Sequence, residues 1–285
     1  MAFGLVLGGG GEVGIAWEIG VLEALAQEGA LDASTAATIV GTSAGSVVGT
    51  QLAAGRSTDD LVQRLLDASS GPVGAGSAAP DMTAVLEIFG SMMAASEMTT
   101  ELAKTIGARA MDAATGDEER WVGGFERAVA VSEWPDADLR VVAMSCTTGE
   151  RRVWTKRDGV PIQRAVASSC SVPGLFPPVT IDGDRYTDGG AWSPSNADLL
   201  AGEGLDAVLF IGPIAGFLAG PPRQVDTELA AVAAKGARTE RLKPGPDFKD
   251  LRARLMDPAY RRQGLEVGRA DGRSAAARVR SVLEG

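Results

Sequence analysis

The chain begins with a short apolar run, Phe3 to Leu7, that ends in four consecutive glycines and continues into a helical pattern over Ile15 to Leu25. An apolar run bounded by glycines is typical of a buried parallel strand. The same unit then repeats, because Thr38 to Val40 predicts a strand, Gly41 to Gly45 a tight turn, and Ser46 to Ala54 a helix. Two successive strand–turn–helix units predict an α/β fold with a mainly parallel sheet covered by helices.

The second half of the chain continues this sheet and places one acidic residue after a strand. Residues 179–187 predict a hairpin with Asp182-Gly183 in its turn, and Asp188-Gly189-Gly190 follows the second strand directly. Other apolar runs predict further strands, and the stretch before the hairpin predicts a helix. These elements are strands at 139–145, 152–155 and 207–211 and a helix at 161–171.

We expect a single domain over residues 1–285, because the sequence contains no internal repeat and no second core pattern. Its core spans about residues 3–215, and helices at about 225–285 are expected at the periphery. A helical, lid-like insertion at about 70–130 begins with a loop-like stretch of small residues at 69–80 and is rich in methionine. Methionine adapts to irregular apolar partners, so this insertion is either a lid over an apolar site or part of the core.

Composition excludes several classes of function. The net charge of −10 argues against nucleic-acid binding, because neutralising phosphates requires a surplus of lysine and arginine. The chain has no histidine, which excludes a Ser-His-Asp triad and histidine-containing zinc sites within it. Cys146 and Cys170 have no metal-ligand spacing and form no disulfide framework. We therefore expect no metal site built on histidine or cysteine.

Two further features bear on location and partners. The first strand pattern starts at Phe3, which leaves no room for a secretion leader, and no segment reaches the roughly 18 apolar residues of a membrane-spanning helix. We therefore expect a cytoplasmic protein. Basic residues outnumber acidic ones from Lys235 to the end, whereas the preceding part is acidic. Such a tail is typical of solvated helix faces, and a transient contact with a membrane surface is the alternative.

Ser43 lies in a G-x-S-x-G motif between a predicted strand and a predicted helix. Small residues on both sides allow a sharp turn that holds the hydroxyl outward, near the helix N-terminus. Ser43 is therefore a candidate nucleophile, and the alternative role is that of a helix N-cap. A serine nucleophile needs a base, for which Asp188 is the best candidate if burial raises its pKa. Otherwise Asp188 only closes the turn before its two glycines.

The glycines after the first strand fit two kinds of site. Gly9, Gly11 and Gly14 match G-x-G-x-x-G, the pattern that binds a dinucleotide pyrophosphate. Such a site requires an acidic residue at the end of the second strand, but Val40 runs into Gly41-Thr42-Ser43, and no G-K-[ST] is present. Backbone N–H groups in a glycine turn at a helix N-terminus also suit a reacting oxyanion. We favour the oxyanion role, with the nucleotide site as the alternative.

Three motifs together resemble the patatin-like phospholipase family: Gly9-Gly10-Gly11-Glu12-Val13-Gly14, Gly41-Thr42-Ser43-Ala44-Gly45 and Asp188-Gly189-Gly190. The segment Ser171 to Val179 is similar to that family's approach to its aspartate, and the likeness covers most of residues 4–215. The resemblance implies a three-layer α/β/α fold and a lipid acyl hydrolase with a Ser-Asp dyad and no cofactor. It makes Ser43 the nucleophile, Asp188 the base, and Gly9, Gly10 and Gly11 the oxyanion hole.

The chain departs from the family at one position. The family usually has an arginine just before the last glycine of the first motif, where this chain has Val13 after the acidic Glu12. Backbone donors do not depend on that side chain, and Arg56, Arg185 or a residue of the tail could replace it. We expect hydrolysis of lipid acyl esters through an acyl-Ser43 intermediate. The alternative is a weakly active or inactive lipid-binding or regulatory protein on the same fold.

Overall fold

The structure is a computed structural model that describes residues 1–67, 82–213 and 224–285. The predicted loop at 69–80 lies outside these residues. The strands are β1 (Phe3–Leu7), β2 (Thr38–Thr42), β3 (Leu139–Ser145), β4 (Arg151–Trp154), β5 (Val179–Ile181), β6 (Asp184–Asp188), β7 (Ala207–Ile211) and β8 (Arg238–Leu242). The helices are α1 (Gly11–Gln27), α2 (Ala44–Ala53), α3 (Thr58–Leu66), α4 (Met82–Ala94), α5 (Thr100–Asp112), α6 (Glu118–Val129), α7 (Ile162–Ser169), α8 (Gln224–Ala233) and α9 (Arg261–Glu284).

These eight strands form one mixed sheet. Hydrogen bonds link them in the order β5-β6-β3-β2-β1-β7-β8, and β4 also pairs with β3. Strands β1, β2, β3, β7 and β8 run parallel, whereas β4 and β6 are antiparallel to β3 and β5 is antiparallel to β6. The predicted, mainly parallel sheet is confirmed. Strand β8 was not predicted, because its sequence Arg-Thr-Glu-Arg-Leu lacks an apolar run.

The sheet has helices on both faces because successive side chains of a strand point to opposite sides. In β1, Leu5 and Leu7 pack into a core with α1, α2, α7 and α9, whereas Val6 packs into a second core with α8. In β7, Leu209 belongs to the first core and Phe210 to the second. The predicted three-layer α/β/α architecture is therefore confirmed. Within the described ranges, no helix combines the length and apolar character needed to cross a membrane.

The last helix packs closely against the first. A Cβ atom added to Gly268 of α9 would lie 2.2 Å from the carbonyl oxygen of Trp17, and one added to Gly20 of α1 would lie 2.3 Å from that of Leu265. The indole Nε1 of Trp17 also donates a hydrogen bond to Asp271 Oδ2 at 2.8 Å. Helix α9 thus needs glycine at the contact, and it adds Leu265 to the main core.

Gly268→Ala is expected to lower the free energy of unfolding by about 1–3 kcal/mol, because the two helix backbones must separate to admit the methyl group. Gly123→Ala on α6 is the matched control. Apart from the adjoining residues of α6 itself, no atom of the described residues lies within 4 Å of a Cβ added there, so alanine should stabilise that helix by about 0.5–1 kcal/mol. Urea unfolding measures both variants, and a stabilising effect at both positions would contradict the close contact of α1 with α9.

Candidate active site

The strand register brings the ends of β2 and β6 together on β3. Thr42, the last residue of β2, pairs with Val142, and Asp188, the last residue of β6, pairs with the next residue, Ala143. Because β4 pairs with both Val142 and Ala143, it occupies one edge of β3, so β2 and β6 share the other edge and meet end to end. Neighbouring positions on a strand are about 3.4 Å apart. Ser43, which follows Thr42, therefore lies next to Asp188.

Ser43 occupies a strained turn between β2 and α2. Its φ of 54° and ψ of −121° are rare for a residue with a side chain, and such strain is typical of a serine presented on a strand-to-helix turn. Its N–H donates to Ser169 Oγ at 3.0 Å, and its carbonyl accepts from Ser46 Oγ at 2.7 Å and Cys170 Sγ at 3.3 Å. The side chain makes no capping hydrogen bond, contrary to the N-cap alternative.

Asp188 is buried, with 3% of its surface exposed. Its Oδ1 accepts the Gly190 N–H at 2.7 Å, whereas Oδ2 completes no hydrogen bond with any described residue. Burial raises the pKa of Asp188 to about 7, although the nearby Ser43 hydroxyl and the Gly190 N–H act in the opposite direction. Ser43 and Asp188 line one cavity together with Phe89 and Pro173. The pair thus combines a serine with a carboxyl group that has a pKa near neutral pH and one oxygen without a hydrogen-bond partner among the described residues.

The glycine loop between β1 and α1 supplies two free N–H groups. The Gly9 N–H donates to the carbonyl of Pro194 at 3.3 Å. The N–H groups of Gly10 and Gly11 have no hydrogen-bond partner among the described residues, and Gly11 lines a second cavity beside Ser43. Of the three predicted oxyanion donors, Gly9 is therefore already engaged, and Gly10 and Gly11 are available.

A second buried carboxyl lies behind this loop. Glu18 of α1 is fully buried, and neither of its carboxyl oxygens has a hydrogen-bond partner among the described residues. Burial raises its pKa well above the usual value, and the backbone of Gly8 acts in the opposite direction. Burial thus disfavours the charged form of Glu18, and with it a negative charge behind a loop whose N–H groups are suited to an anion.

The C-terminal segment holds the glycine loop at the position where the family's arginine is missing. The Val13 N–H donates to the Leu255 carbonyl at 3.0 Å. The side chain of Glu12, only 5% exposed, forms an ion pair with Arg261 of α9, with 2.6 Å between Oε2 and Nη2. A backbone hydrogen bond and a largely buried ion pair thus fix the first turn of α1.

The other two candidates for the arginine's role form their hydrogen bonds elsewhere. Arg56 donates to the Ala130 carbonyl and Arg185 to the Pro178 carbonyl, both at 2.8 Å. Neither acceptor belongs to the glycine loop. Of the three suggestions, only the tail is seen to contact the residues that follow this loop in the described part of the chain, through the ion pair of Arg261 with Glu12.

Several residues that support the site were not predicted from the sequence. Ser169 holds the Ser43 N–H, and Asn196 Nδ2 donates to Thr42 Oγ1 at 3.0 Å. Asn196 is itself in the left-handed region, with a φ of 54°. Its segment, Ser193-Pro194-Ser195-Asn196, is rich in turn-forming residues, but that signal predicts only a loop and does not identify Thr42 as the partner.

The fold and this site define a class of α/β proteins that present a serine at a strand-to-helix turn beside a buried aspartate. The family model for patatin-like phospholipases matches residues 5–201, and the chain belongs to this family. Uncharacterised NTE family proteins of Mycobacterium tuberculosis and Mycobacterium bovis are each 28% identical to it over 237 residues. The match covers 80% of this chain and 53% of each relative. The chain thus spans about half the length of these curated relatives.

Two solved structures resemble the chain remotely. VipD from Legionella pneumophila shares 16% identity at a TM-score of 0.48, with 97% of this chain and 67% of that chain covered. The type III effector protein ExoU shares 14% identity at a TM-score of 0.40, with 98% and 53% covered. Neither match bears on the residues of the site.

Asp188→Asn is expected to stabilise the protein more at high pH than at low pH. The folded state holds a proton on Asp188 up to a pKa of about 7, whereas an unfolded aspartate releases it near a pKa of about 3.9. The contribution of Asp188 to stability is therefore complete below that lower pKa and is lost as the pH rises towards 7. Asparagine does not titrate and keeps an acceptor for the Gly190 N–H.

The size of this effect follows from the two pKa values. At about pH 8.5 the ionised Asp188 should cost at most about 4 kcal/mol of unfolding free energy, and at about pH 5 clearly less. Urea unfolding of wild type and variant at both pH values measures the difference. An equal gain in stability at both would show that the pKa of Asp188 is not raised.

Proposed function

We propose that the protein is a serine hydrolase that cleaves acyl ester bonds of lipids through an acyl-Ser43 intermediate. The observation that carries this proposal is the free, buried Oδ2 of Asp188, in the same cavity as a serine held in a strained turn. A carboxyl with a pKa of about 7 can accept a proton at neutral pH and return it, as a general base should. No histidine is needed for this exchange.

In the first step, Ser43 Oγ attacks the ester carbonyl carbon while its proton passes to Asp188 Oδ2. The tetrahedral oxyanion collapses, the bond to the leaving alcohol breaks, and the proton on Asp188 passes to the alcohol oxygen. Water then attacks the acyl-Ser43 ester, again giving its proton to Asp188. Collapse of the second intermediate releases the acid and restores the serine hydroxyl with that proton.

The N–H groups of Gly10 and Gly11 are the proposed donors to the oxyanion. They are free among the described residues and belong to a loop fixed by the ion pair between Glu12 and Arg261. Donors that are oriented before the reaction are effective because they need not reorganise, and one such donor contributes about 3 kcal/mol of transition-state stabilisation. Burial of Glu18 behind the loop disfavours its charged form, which reduces repulsion of the oxyanion.

A non-catalytic lipid-binding protein is the second candidate. One observation favours it: the Gly9 N–H, one of the three donors implied by the family resemblance, is engaged by the Pro194 carbonyl. Binding of an acyl chain needs neither this N–H nor an ionised Asp188. Labelling and turnover at Ser43 therefore separate the two functions.

Ser43→Ala is expected to reduce kcat/KM for nitrophenyl butanoate by at least about 10³-fold, because the nucleophile is lost. Wild-type protein should react with an alkyl fluorophosphonate at Ser43, as shown by peptide mass spectrometry. Ser46→Ala is the control, since the Ser46 hydroxyl bonds the Ser43 carbonyl and contacts Cys170 Sγ but takes no part in the proposed reaction, so its loss should cost far less. Full turnover in Ser43→Ala would refute the hydrolase, and binding without turnover in wild type would favour the second candidate.

The pH dependence of kcat/KM in the same assay tests whether Asp188 is the base. Asp188 must be ionised to accept the proton, so kcat/KM should rise with pH and level off above the pKa of about 7. A profile without an inflection in this range would indicate that another group acts as the base.

We also propose that α4 contacts the lipid surface on which substrate is presented. The buried face of α4 includes Phe89, which lines the cavity of Ser43 and Asp188. On another side of the same helix, Met82, Leu86 and Met93 are exposed to solvent over 55%, 70% and 47% of their surface. Apolar side chains exposed together beside a candidate active site are typical of a binding surface.

Leu86→Ser is expected to lower hydrolysis of phosphatidylglycerol vesicles several-fold relative to hydrolysis of monomeric nitrophenyl butanoate, because it removes apolar area from the contact. Met111→Ser on α5 is the control. Met111 is also a large apolar residue, 41% exposed, but it lines neither of the two cavities beside Ser43. The ratio of the two activities is measured for each variant. A similar fall of this ratio in Leu86→Ser and in Met111→Ser would contradict a specific role for α4.

A further inference from the structure

Two apolar cavities follow one another away from Ser43. The first is lined by Ser43 and Ala44 and by aromatic and sulfur-containing side chains, including Trp121, Phe176 and Met256. The second cavity lies further from Ser43, and Leu61 is among the residues that line it. Glu12, Ile15 and Val47 line both cavities, so the two meet at these side chains.

The two cavities form one path because three helices run beside both. Each helix contributes one residue near Ser43 and another further along: Ile15 and Ile19 on α1, Val47 and Gln51 on α2, Trp121 and Ala128 on α6. We call this path the α1–α2 groove. Gln51 lies eight residues after Ser43, which is about 12 Å along the helix axis, or about ten carbons of extended acyl chain.

The far end of the groove is polar. Gln51 is buried, and its Oε1 accepts a hydrogen bond from Arg64 Nε at 3.0 Å. Arg64 also donates to the Arg127 carbonyl at 3.0 Å, so its guanidinium is held across this end. An alkyl chain that reached past Gln51 would have to displace or desolvate these groups, which is unfavourable without compensating hydrogen bonds.

We infer that the α1–α2 groove binds the acyl chain of the substrate and selects chains of about eight to ten carbons. This inference rests on the proposed hydrolase function, because it takes Ser43 as the position of the acyl carbonyl. The leaving alcohol then lies in the other cavity beside Ser43, since Asp188, which returns the proton to it, lines that cavity.

The assignment of the acyl chain to the groove follows from the character of its walls. Its aliphatic lining is provided by Ile15, Ile19, Val47 and Leu61. Of its charged side chains, Glu12 and Arg261 are paired with each other, and Arg64 at the far end donates to Gln51 and to the Arg127 carbonyl. A polar headgroup would find few hydrogen-bond partners there. Each methylene buried in such a groove should raise kcat/KM by up to about fourfold.

The first test is the chain-length profile of the wild-type protein with monomeric nitrophenyl esters, from butanoate to hexadecanoate. We expect kcat/KM to rise to a maximum at octanoate or decanoate, at least about 16-fold above butanoate at two- to fourfold per methylene. It should not rise further with dodecanoate or hexadecanoate. A flat profile, or one that rises steadily to hexadecanoate, would overturn the inference.

The second test narrows the groove. Ala128→Trp fills its far part, and Ala53→Trp is the matched control, because Ala53 is also a half-buried alanine packed against the main core but lines neither cavity. The readout is the ratio of kcat/KM for decanoate to that for butanoate, which cancels general losses of active protein. Ala128→Trp should lower this ratio at least tenfold relative to Ala53→Trp. Equal ratios in the two variants would overturn the inference.

The third test moves the polar end. Replacing Gln51 and Arg64 together by leucine removes both partners of the hydrogen bond, a change that is better tolerated than removing one of them. The maximum of the profile should move to dodecanoate or longer. A maximum that stays at decanoate would show that Gln51 and Arg64 do not set the limit.

Binding to Ser43→Ala separates this inference from the proposed hydrolysis. Calorimetry with butanoate, decanoate and hexadecanoate needs no nucleophile, and decanoate should bind most tightly. If wild type hydrolyses no ester but decanoate binds in this way, the groove stands and the hydrolase fails. If all esters are hydrolysed at similar rates and the fatty acids bind equally, the hydrolase stands and the groove fails.

Discussion

The register of three strands on β3 is the constraint on which the rest of the site depends. Thr42 and Asp188 occupy consecutive positions on one edge of β3, because β4 fills the other edge. A slip of β6 by one residue would turn Asp188 to the opposite face of the sheet, since side chains alternate along a strand. The juxtaposition of Ser43 and Asp188 is therefore a consequence of sheet pairing rather than of flexible loops.

The conformation of Ser43 and the burial of Asp188 cost free energy, which the packing of the surrounding core offsets. Ser43 has an unfavourable backbone conformation, and Asp188 is buried with one oxygen free of hydrogen bonds to the described residues. Strain of this kind persists only where neighbouring contacts determine it fully. Here the contacts come from α7, through Ser169, and from α9, through the ion pair of Arg261 with Glu12. The C-terminal segment thus helps to hold the glycine loop in place.

Features with a local signal could be predicted from the sequence, and features that depend on distant partners could not. Glycine on both sides of Ser43 indicated a sharp turn, and a Cβ added to Gly45 would lie 2.2 Å from the Leu7 carbonyl oxygen. The hairpin turn at Asp182-Gly183 was equally local, and both residues have positive φ. By contrast, the partner of Glu12 is Arg261, and the partner of the Gly9 N–H is Pro194. No sequence pattern links residues so far apart. The tail was therefore only one of three suggestions for the arginine's role, with no residue of it identified, and the engagement of Gly9 was not predicted.

The most direct measurement of the central claim is a crystal structure of the protein after reaction with decyl fluorophosphonate, whose tetrahedral phosphorus mimics the tetrahedral intermediate. We predict phosphorus bonded to Ser43 Oγ, a phosphoryl oxygen within hydrogen-bond distance of the Gly10 and Gly11 N–H groups, and the decyl chain in the α1–α2 groove. Phosphorus on another residue, or its oxygen turned away from these N–H groups, would contradict the account.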